Sequence, residues 1–447
     1  MASTNISRAL SSGAATTKFT YSVWLKYSGF VAGGQRWFSA IGTGDTYFRF
    51  NENGTMEISG YNSGATSLGY FITNRKFQDN SGWYHLVIKS DTTQSTEADR
   101  FKLYINGVQT TSFSTATYPN QNATDNINLA GNTQYIGGAA SSQYFNGVMS
   151  HVIYCDNYAY DASSFGETDS TTGEWKINTS PSVTYGTNGF YLLKDGNSVT
   201  DQSGNSNDFS YSNGTLTNTK DCPDNVFSTL NPLIKASNQP TFTNANTTVI
   251  SPSGTNARYG GTLGMTSGKY YYEVKLLGSV TNGGFSAGML NIDSFNFNST
   301  SGISSSSNYI GAVVNNNNLY IQHGGASNDF TPTVALGSII GHAIDMDNGY
   351  YYVHVNGVYL NSGDPTSGDT GTGNINRTGN LNYDFSTLTM AIGGSSQNVD
   401  FGSFNFGNGT FGTTAVSSAG TNASNNGVFE YDVPTGYTAL STKGLNL

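Results

Sequence analysis

Short runs in which apolar and polar residues alternate recur along the whole chain. They include residues 19–26, 83–88, 101–105, 269–275 and 350–355, and Gly, Asn, Asp or Ser flank them. Alternation over ~4–8 residues is typical of a half-buried strand, whereas a helix repeats its apolar positions every ~3.6 residues over ~10 residues or more. No convincing helical repeat of that length interrupts the pattern. The pattern therefore predicts an all-β protein.

One group of strands and turns occurs twice in the sequence. Residues 101–105 lead into Asn106-Gly107, and residues 350–355 lead into Asn356-Gly357. An Asn-Gly pair between alternating apolar residues strongly indicates a tight hairpin, because a type I′ turn requires positive φ at both central residues. His85 precedes the first hairpin and His342 the second, in places that match in the sequence. The repeat predicts two related β-domains in tandem.

The length of the chain agrees with this duplication. A chain of 447 residues is too long for one β-sandwich and fits two sandwiches with a connecting segment. Residues 179–245 are rich in turn-forming residues and contain few strand-like runs. We therefore predict a first sandwich at 1–178, a connector packed on it at 179–245, and a second sandwich at 246–447.

Composition limits the classes of partner. Charged residues make up 11% of the chain, against ~25% in an average soluble domain, and the net charge is −10. No basic stripe is present to bind a phosphate backbone, so nucleic acid is not an expected partner. No apolar run reaches the ~18 residues needed to cross a bilayer, and the first residues do not form a signal peptide. We expect a chain that neither inserts into a membrane nor is exported by the usual route.

Both predicted domains resemble known families. Residues 19–24, 82–87 and 103–107 are similar to those of laminin-G-like or concanavalin-like jelly rolls. Residues 270–274 and 353–358 are similar to those of a SPRY domain, which is itself a concanavalin-type sandwich. The resemblance implies two tandem concanavalin-like jelly-roll β-sandwiches.

The combination of segments resembles a narrower group. Residues 165–169, 185–191, 201–205, 227–232 and 433–437 are similar to a group of tail-fibre-like or virion-surface proteins of marine bacteriophages. This resemblance implies a structural protein on the virion surface, made in the host cytoplasm without a signal peptide. The expected partners are other tail or capsid proteins and further copies of the chain, with a trimer as the expectation from fibres.

The sequence contains no recognisable catalytic motif. The Glu-x-Asp-x-x-Glu run of β-glucanases with this fold does not occur. Asp345 and Asp347 alternate on one strand, but a turn at 347–349 is the better explanation. The matching places of His85 and His342 favour a shared structural role over catalysis. We therefore expect no catalytic residue, no required cofactor and no enzymatic activity.

Binding residues can be suggested for a sugar and for a metal. Aromatic rings stack on pyranose C–H surfaces, and turn residues flank five candidates, for each of which core packing is the alternative. The glycan-binding candidates are Trp37, Tyr47, Tyr61, Tyr259 and Tyr309. Asp201, Asn205 and Asp208 gather oxygen ligands suited to Ca²⁺ in one loop, although a set of Asx turns explains them equally well.

The leading functional prediction is a virion-surface protein, either a tail fibre or a particle-attached adhesin, whose sandwiches bind glycans of the host surface. The alternative is a capsid decoration or fibre-scaffold protein without a glycan site. A polysaccharide depolymerase is the third hypothesis.

Overall fold

Nearly all of the regular secondary structure that the structure describes is β-strand, which confirms the predicted fold class. The computed structural model describes residues 3–62, 65–196, 198–235, 240–251, 257–278, 285–291, 309–323, 326–375, 388–394 and 399–446. Helical structure in these residues consists of short 3-10 turns at Glu97–Asp99, Ala162–Ser164, Leu360–Ser362, Gly368–Thr370 and Gly444–Asn446. None of the helices in these ranges has the length and hydropathy required to span a membrane.

The chain folds into two compact units, Met1–Thr217 and Asn218–Leu447. The predicted connector at 179–245 is divided between them. Its segments at 190–192 and 210–213 pair with strands of the first unit, whereas those at 230–235 and 241–243 pair with strands of the second. The first half of this turn-rich segment therefore pairs with strands of the first unit, and the second half pairs with strands of the second unit.

The first unit is a two-sheet sandwich. Its strands are β1 (Asn5–Ala9), β2 (Lys18–Tyr27), β3 (Gln35–Ile41), β4 (Gly44–Phe50), β5 (Thr55–Asn62), β6 (Ala65–Lys76), β7 (Tyr84–Asp91), β8 (Phe101–Ile105), β9 (Val108–Thr110), β10 (Phe113–Thr117), β11 (Thr133–Ile136), β12 (Gly147–Asp156), β13 (Gly166–Thr168), β14 (Trp175–Ile177), β15 (Phe190–Leu192) and β16 (Ser210–Asn213). One sheet has eight strands in the order β10-β6-β5-β4-β3-β11-β1-β16. The other has six in the order β15-β12-β2-β7-β8-β9, and β13 and β14 form a separate hairpin.

The second unit is also a two-sheet sandwich. Its strands are β17 (Leu230–Lys235), β18 (Thr241–Thr243), β19 (Thr248–Ser251), β20 (Ala257–Met265), β21 (Lys269–Leu276), β22 (Phe285–Asn291), β23 (Tyr309–Asn315), β24 (Asn318–His323), β25 (Ala326–Thr333), β26 (Ile339–Asp345), β27 (Tyr350–Val355), β28 (Val358–Tyr359), β29 (Leu388–Gly394), β30 (Val399–Asn405), β31 (Thr410–Phe411), β32 (Thr414–Ala415) and β33 (Thr438–Ala439). The two sheets run in the orders β17-β20-β29-β22-β23-β24-β25 and β18-β19-β30-β21-β26-β27-β28.

In each unit a layer of loops covers the outer face of one sheet. The central strand β2 is buried at all positions after Lys18, because one of its faces lies in the sandwich core and the other lies under this layer. In the first unit the covering residues include Tyr160, Phe165, Trp175 and Tyr185. In the second unit they are Phe227, Phe429, Val433 and Tyr437. Both sandwiches therefore contain a second, smaller apolar cluster outside the main core.

The two predicted Asn-Gly hairpins form and match each other. Asn106 and Gly107 have φ of 48° and 78°, and Asn356 and Gly357 have φ of 49° and 85°. The Asn106 side-chain oxygen accepts a hydrogen bond from the His85 backbone N–H at 2.8 Å. In the second unit the Asn356 oxygen accepts an equivalent bond at 2.8 Å, but from Ile339. The hairpins are therefore equivalent turns that fasten their own strands.

This register corrects the predicted match between His85 and His342. His85 aligns with Ile339, three residues before His342, so the two imidazoles point to opposite faces of their sheets. Both units also share an ion pair, which lies at the end of these strands away from the hairpins. Lys18 pairs with Asp91 at 3.3 Å, and Lys269 pairs with Asp345 at 2.8 Å, at equivalent places in the register.

Candidate functional site

Three of the five predicted glycan-binding aromatics are core residues. Trp37, Tyr259 and Tyr309 are 0%, 1% and 0% exposed. The register of β3 shifts between Arg36 and Phe38, so that Trp37 and Phe38 both turn inward, and Trp37 packs on Phe48 with ring centroids 5.0 Å apart. A buried ring offers no face to a sugar, so the prediction is wrong for these three. Flanking turn residues do not reveal which face of a sheet a side chain takes.

The other two candidates lie on neighbouring strands. Tyr47 is partly exposed on β4. Tyr61 is paired with Asp45 in the backbone register, but its side chain lies outside the described residues. Tyr47 is therefore the one predicted aromatic around which a surface site can be described.

Tyr47 belongs to a network of charged side chains, which we call the outer-face network. The Arg36 guanidinium donates two hydrogen bonds to Asp45, with N–O distances of 2.6 and 2.8 Å, and lies 4.1 Å from the centre of the Tyr47 ring. The Tyr47 hydroxyl donates to one oxygen of Glu57 at 2.7 Å, and Arg49 donates to the other at 2.8 Å. Each carboxylate in the network is thus paired with a guanidinium.

Strand register brings these residues onto one face of the eight-stranded sheet. Arg36 on β3 is opposite Arg49 on β4, which in turn is opposite Glu57 on β5. Asp45 and Tyr47 alternate with Arg49 along β4, and residues two apart on a strand point to the same side. The residues between them, such as Phe48, fill the core. The alternation of Asp45, Tyr47 and Arg49 was the available sequence signal, but the sequence does not show that Arg36 and Glu57 join them.

Electrostatics keep Tyr47 and Glu57 in one protonation state near neutral pH. Burial opposes ionisation of Glu57, but the hydrogen bonds from Tyr47 and Arg49 hold its pKa below the ordinary value. Burial and the neighbouring Glu57 raise the pKa of Tyr47 to about 12. Tyr47 is therefore a neutral donor and Glu57 a charged acceptor, and the two arginines balance the two carboxylates.

The predicted calcium loop is held together by hydrogen bonds from its own chain. Asp201 accepts backbone N–H bonds from Tyr191 at 2.8 Å and Asn207 at 2.9 Å, and Asp208 accepts one from Asp201 at 2.7 Å. Asn205 turns its amide nitrogen toward a backbone carbonyl, that of Gly186 at 2.6 Å. The described part of the chain holds no cluster of three or more His, Cys, Asp or Glu side chains suited to a metal. The Asx-turn alternative accounts for these contacts, and calcium binding stays a prediction.

The histidines singled out by the repeat are buried in structural positions. The His85 ring accepts a bond from the Trp175 indole at 2.9 Å, and its other nitrogen lies 2.8 Å from the Ser22 hydroxyl. His342 lies 2.7 Å from the Tyr351 hydroxyl. Burial lowers the pKa of both histidines to about 3, so both are neutral at physiological pH.

The acidic pair at the end of β26 forms a turn, as expected. Asp345 accepts backbone N–H bonds from Asp347 and Asn348, each at 3.1 Å. Asp347 accepts a bond from the Gly268 N–H at 2.7 Å. Both carboxylates therefore fasten turns, and the absence of enzymatic activity stays a prediction.

The first unit matches a known superfamily. Residues 3–157 fit the family described as the concanavalin A-like lectin/glucanases superfamily. This range contains strands β1 to β12 and every residue of the outer-face network. No curated protein sequence is significantly similar to the chain.

Several solved structures share partial similarity with the chain. The SPRY domain of human HERC1 is 15% identical, with 39% of this chain and 96% of that chain covered and a TM-score of 0.29. A putative carbohydrate binding protein from Bacteroides ovatus is 16% identical, with 48% and 58% covered and a TM-score of 0.31. A heptameric SAP-like pentraxin from Limulus polyphemus is 16% identical, with 35% and 71% covered and a TM-score of 0.26.

Proposed function

We propose that the first unit binds a carbohydrate at the outer-face network. The observation that carries this proposal is the network itself, in which Arg36, Asp45, Tyr47, Arg49 and Glu57 are fixed on one face of a sheet. The three strands that carry the network, β3 to β5, lie within the residues that match the lectin and glucanase superfamily. A lectin-type sandwich with an ordered polar surface is suited to the recognition of sugars.

The chemistry of the network fits sugar hydroxyls. Guanidinium and carboxylate groups are planar and present hydrogen-bonding atoms in pairs, as neighbouring hydroxyls of a pyranose do. The side chains of Asp45 and Arg49 are 40% and 23% exposed, so a ligand can reach them. The ion pairs hold the side chains in place before binding, which reduces the entropy lost when a ligand is bound. Charged residues are only 11% of the chain, and yet four of them are concentrated here.

The wider role that we propose is display of this face on the surface of a bacteriophage particle. The resemblance of residues 165–169, 185–191 and 433–437 to virion-surface proteins supports this part of the proposal. The protein would then be a non-enzymatic tail fibre or adhesin that assembles with other virion proteins and with further copies of itself. A capsid decoration or fibre-scaffold protein is the alternative, and it requires no glycan site.

A glycan array probed with the full chain tests the binding proposal. The wild type is expected to bind, and Asp45→Asn is expected to lose most of the signal because the Arg36 guanidinium loses the negative charge and one of the two oxygens that it pairs with. Lys89→Met is the matched control, since it removes another surface ion pair of the same unit, that of Lys89 with Asp161 at 2.8 Å. This control is expected to bind like the wild type. A wild type that binds no glycan overturns the proposal.

Three further measurements address the rest of the proposal. Repeating the array with EDTA tests the calcium prediction at Asp201, Asn205 and Asp208. Loss of binding in EDTA would show that binding requires a metal ion. Labelled density of intact particles tests the location. Density at the tail tip supports an adhesin, whereas uniform density over the capsid lattice favours decoration. Release of oligosaccharides from host polysaccharide by the purified chain would instead establish a depolymerase.

A further inference from the structure

Three tyrosines lie on every second strand of the sheet face that carries the outer-face network. The register pairs Tyr135 on β11 with Ser39 on β3, Ser39 with Tyr47 on β4, Tyr47 with Ser59 on β5, and Ser59 with Tyr70 on β6. Directly paired residues of neighbouring antiparallel strands point to the same face. Tyrosine and serine therefore alternate in one row across five strands, which we call the tyrosine row.

The row has a regular spacing. Neighbouring strands are ~4.8 Å apart, so successive tyrosines are separated by ~9.6 Å and the outer two by ~19 Å. Ser39 and Ser59 are 0% and 7% exposed, whereas Tyr47, Tyr70 and Tyr135 are each partly exposed. Because serine is small, the tyrosine side chains protrude beyond the serines on this face.

An extended polysaccharide with β-1,4 linkages has a matching repeat. Each ring of such a chain is turned over relative to the ring before it, so every second ring presents the same side. Two rings advance by nearly the distance between alternate strands of a sheet. A chain that crosses the strands therefore places one equivalent ring above each tyrosine, and the whole row accommodates about four to five rings.

The charges of this face favour an uncharged ligand. The outer-face network contains two arginines and two carboxylates joined in pairs, and the chain as a whole has a net charge of −10. A polyanion would be repelled by the protein as a whole and would have to break these pairs to bind. Hydroxyl groups form hydrogen bonds to the paired groups without separating them.

The middle and the ends of the row differ in chemistry. The Arg36 guanidinium covers one face of the Tyr47 ring at 4.1 Å, so the centre of the row offers mainly hydrogen bonds. Tyr70 and Tyr135 supply apolar ring surface on either side. We infer that this face binds a neutral, extended, β-1,4-linked polysaccharide across the strands, with hydrogen bonds at Tyr47 and stacking at Tyr70 and Tyr135. This inference rests on the proposed carbohydrate-binding function.

Calorimetry with oligosaccharides of defined length tests the inference. The probes are β-1,4-linked oligomers of glucose, N-acetylglucosamine and mannose with two to six rings, and α-1,4-linked glucose oligomers are the control for linkage. We expect at least tenfold tighter binding of six rings than of two in one β-linked series, and no such gain in the α-linked series. Tyr70→Ala and Tyr135→Ala are each expected to weaken binding of six rings about threefold to tenfold and to leave two rings unaffected.

The controls separate this inference from the proposed function. Tyr211→Ala removes an exposed tyrosine of the same sheet outside the row and is expected to change nothing. Tryptophan fluorescence verifies that each variant is folded, because all four tryptophans precede residue 218. Any of three results overturns the inference and leaves the proposed glycan site in place. They are equal affinity for two and six rings, equal binding of α-linked oligomers, and wild-type affinity in both Tyr70→Ala and Tyr135→Ala. No binding to any glycan, on the array or here, overturns both.

Discussion

Glu273 is a buried carboxylate on which the C-terminal covering layer of the second unit depends. It is 0% exposed and accepts backbone N–H bonds from Tyr431 at 2.8 Å and Glu430 at 2.9 Å. The Tyr271 hydroxyl donates to it at 3.1 Å and the Asn405 amide at 3.2 Å. Replacement by Gln keeps the shape of the side chain and removes its titration, so the difference in pH dependence between the two proteins reports that titration.

The pKa of Glu273 fixes the sign and size of the effect. Burial raises this pKa from the ordinary 4.5 to about 7, although the hydrogen bonds from Glu430 and Tyr431 oppose the shift. The difference between the two values is worth ~3 kcal/mol, because one pH unit corresponds to ~1.4 kcal/mol. Since the folded state binds the proton more tightly, this stabilisation is full below pH 4.5 and is lost as the pH rises to about 7.

In the folded state, the histidine and the tyrosines beside Glu273 stay neutral in this pH window. His354 lies 2.7 Å from the Tyr271 hydroxyl, and burial lowers the pKa of His354 to about 4. Burial raises the pKa of Tyr271, Tyr359 and Tyr431, which therefore remain neutral. Glu430 is the other carboxylate nearby, and its oxygens accept bonds from Ser417 at an exposed position.

The assay is urea unfolding between pH 4.5 and 7.5. Unfolding is monitored by pulsed hydrogen exchange and mass spectrometry of peptides from residues 218–447. Over this range the wild type is expected to lose ~3 kcal/mol more of its free energy of unfolding than Glu273→Gln does. Glu430→Gln is the matched control and should follow the wild type. The reasoning is refuted if the wild type gains stability relative to Glu273→Gln as the pH rises, because the four donors would then outweigh burial.

Two further predictions concern the first unit and use its tryptophan fluorescence. Gly107 has positive φ, and an added Cβ would lie 2.4 Å from the Trp175 ring. Gly131 also has positive φ, but an added Cβ there would have nothing within 4 Å. Gly107→Ala is therefore expected to lower the free energy of unfolding by ~1–3 kcal/mol more than Gly131→Ala does. Equal losses of unfolding free energy in the two variants would contradict this, because Trp175 would then move away from the added Cβ without destabilising the fold. Burial raises the pKa of Asp125 to about 7, so the wild type should lose free energy of unfolding relative to Asp125→Asn as the pH rises from about 4 to about 7. Identical pH profiles for wild type and Asp125→Asn would contradict this.

Much of the fold follows from local sequence. Alternation along the chain specifies strands, and the Asn106-Gly107 and Asn356-Gly357 pairs specify hairpins, because few other residue pairs adopt positive φ so readily. These signals act over a few residues and do not depend on the rest of the molecule. For that reason the all-β class and the duplication were predictable.

The candidate site was only partly predictable. The flanking turn residues predict Tyr47 as a surface aromatic but predict Trp37 equally, because strict alternation does not reveal a bulge that turns Trp37 and Phe38 to the same side. His85 and His342 match in sequence spacing, and yet their register places them on opposite faces. Errors of a single residue in register exchange the two faces of a strand.

The sequence by itself thus determined the strands, the tight turns and the presence of two sandwiches. Only the tertiary structure decided which side chains share a surface. Tyr135 and Ser39 are opposite each other although 96 residues separate them, and Arg36 reaches Asp45 only because β3 and β4 pair in one register. Turn formation is governed by the conformational energies of a few neighbouring residues, whereas strand pairing depends on burial summed over the whole sheet.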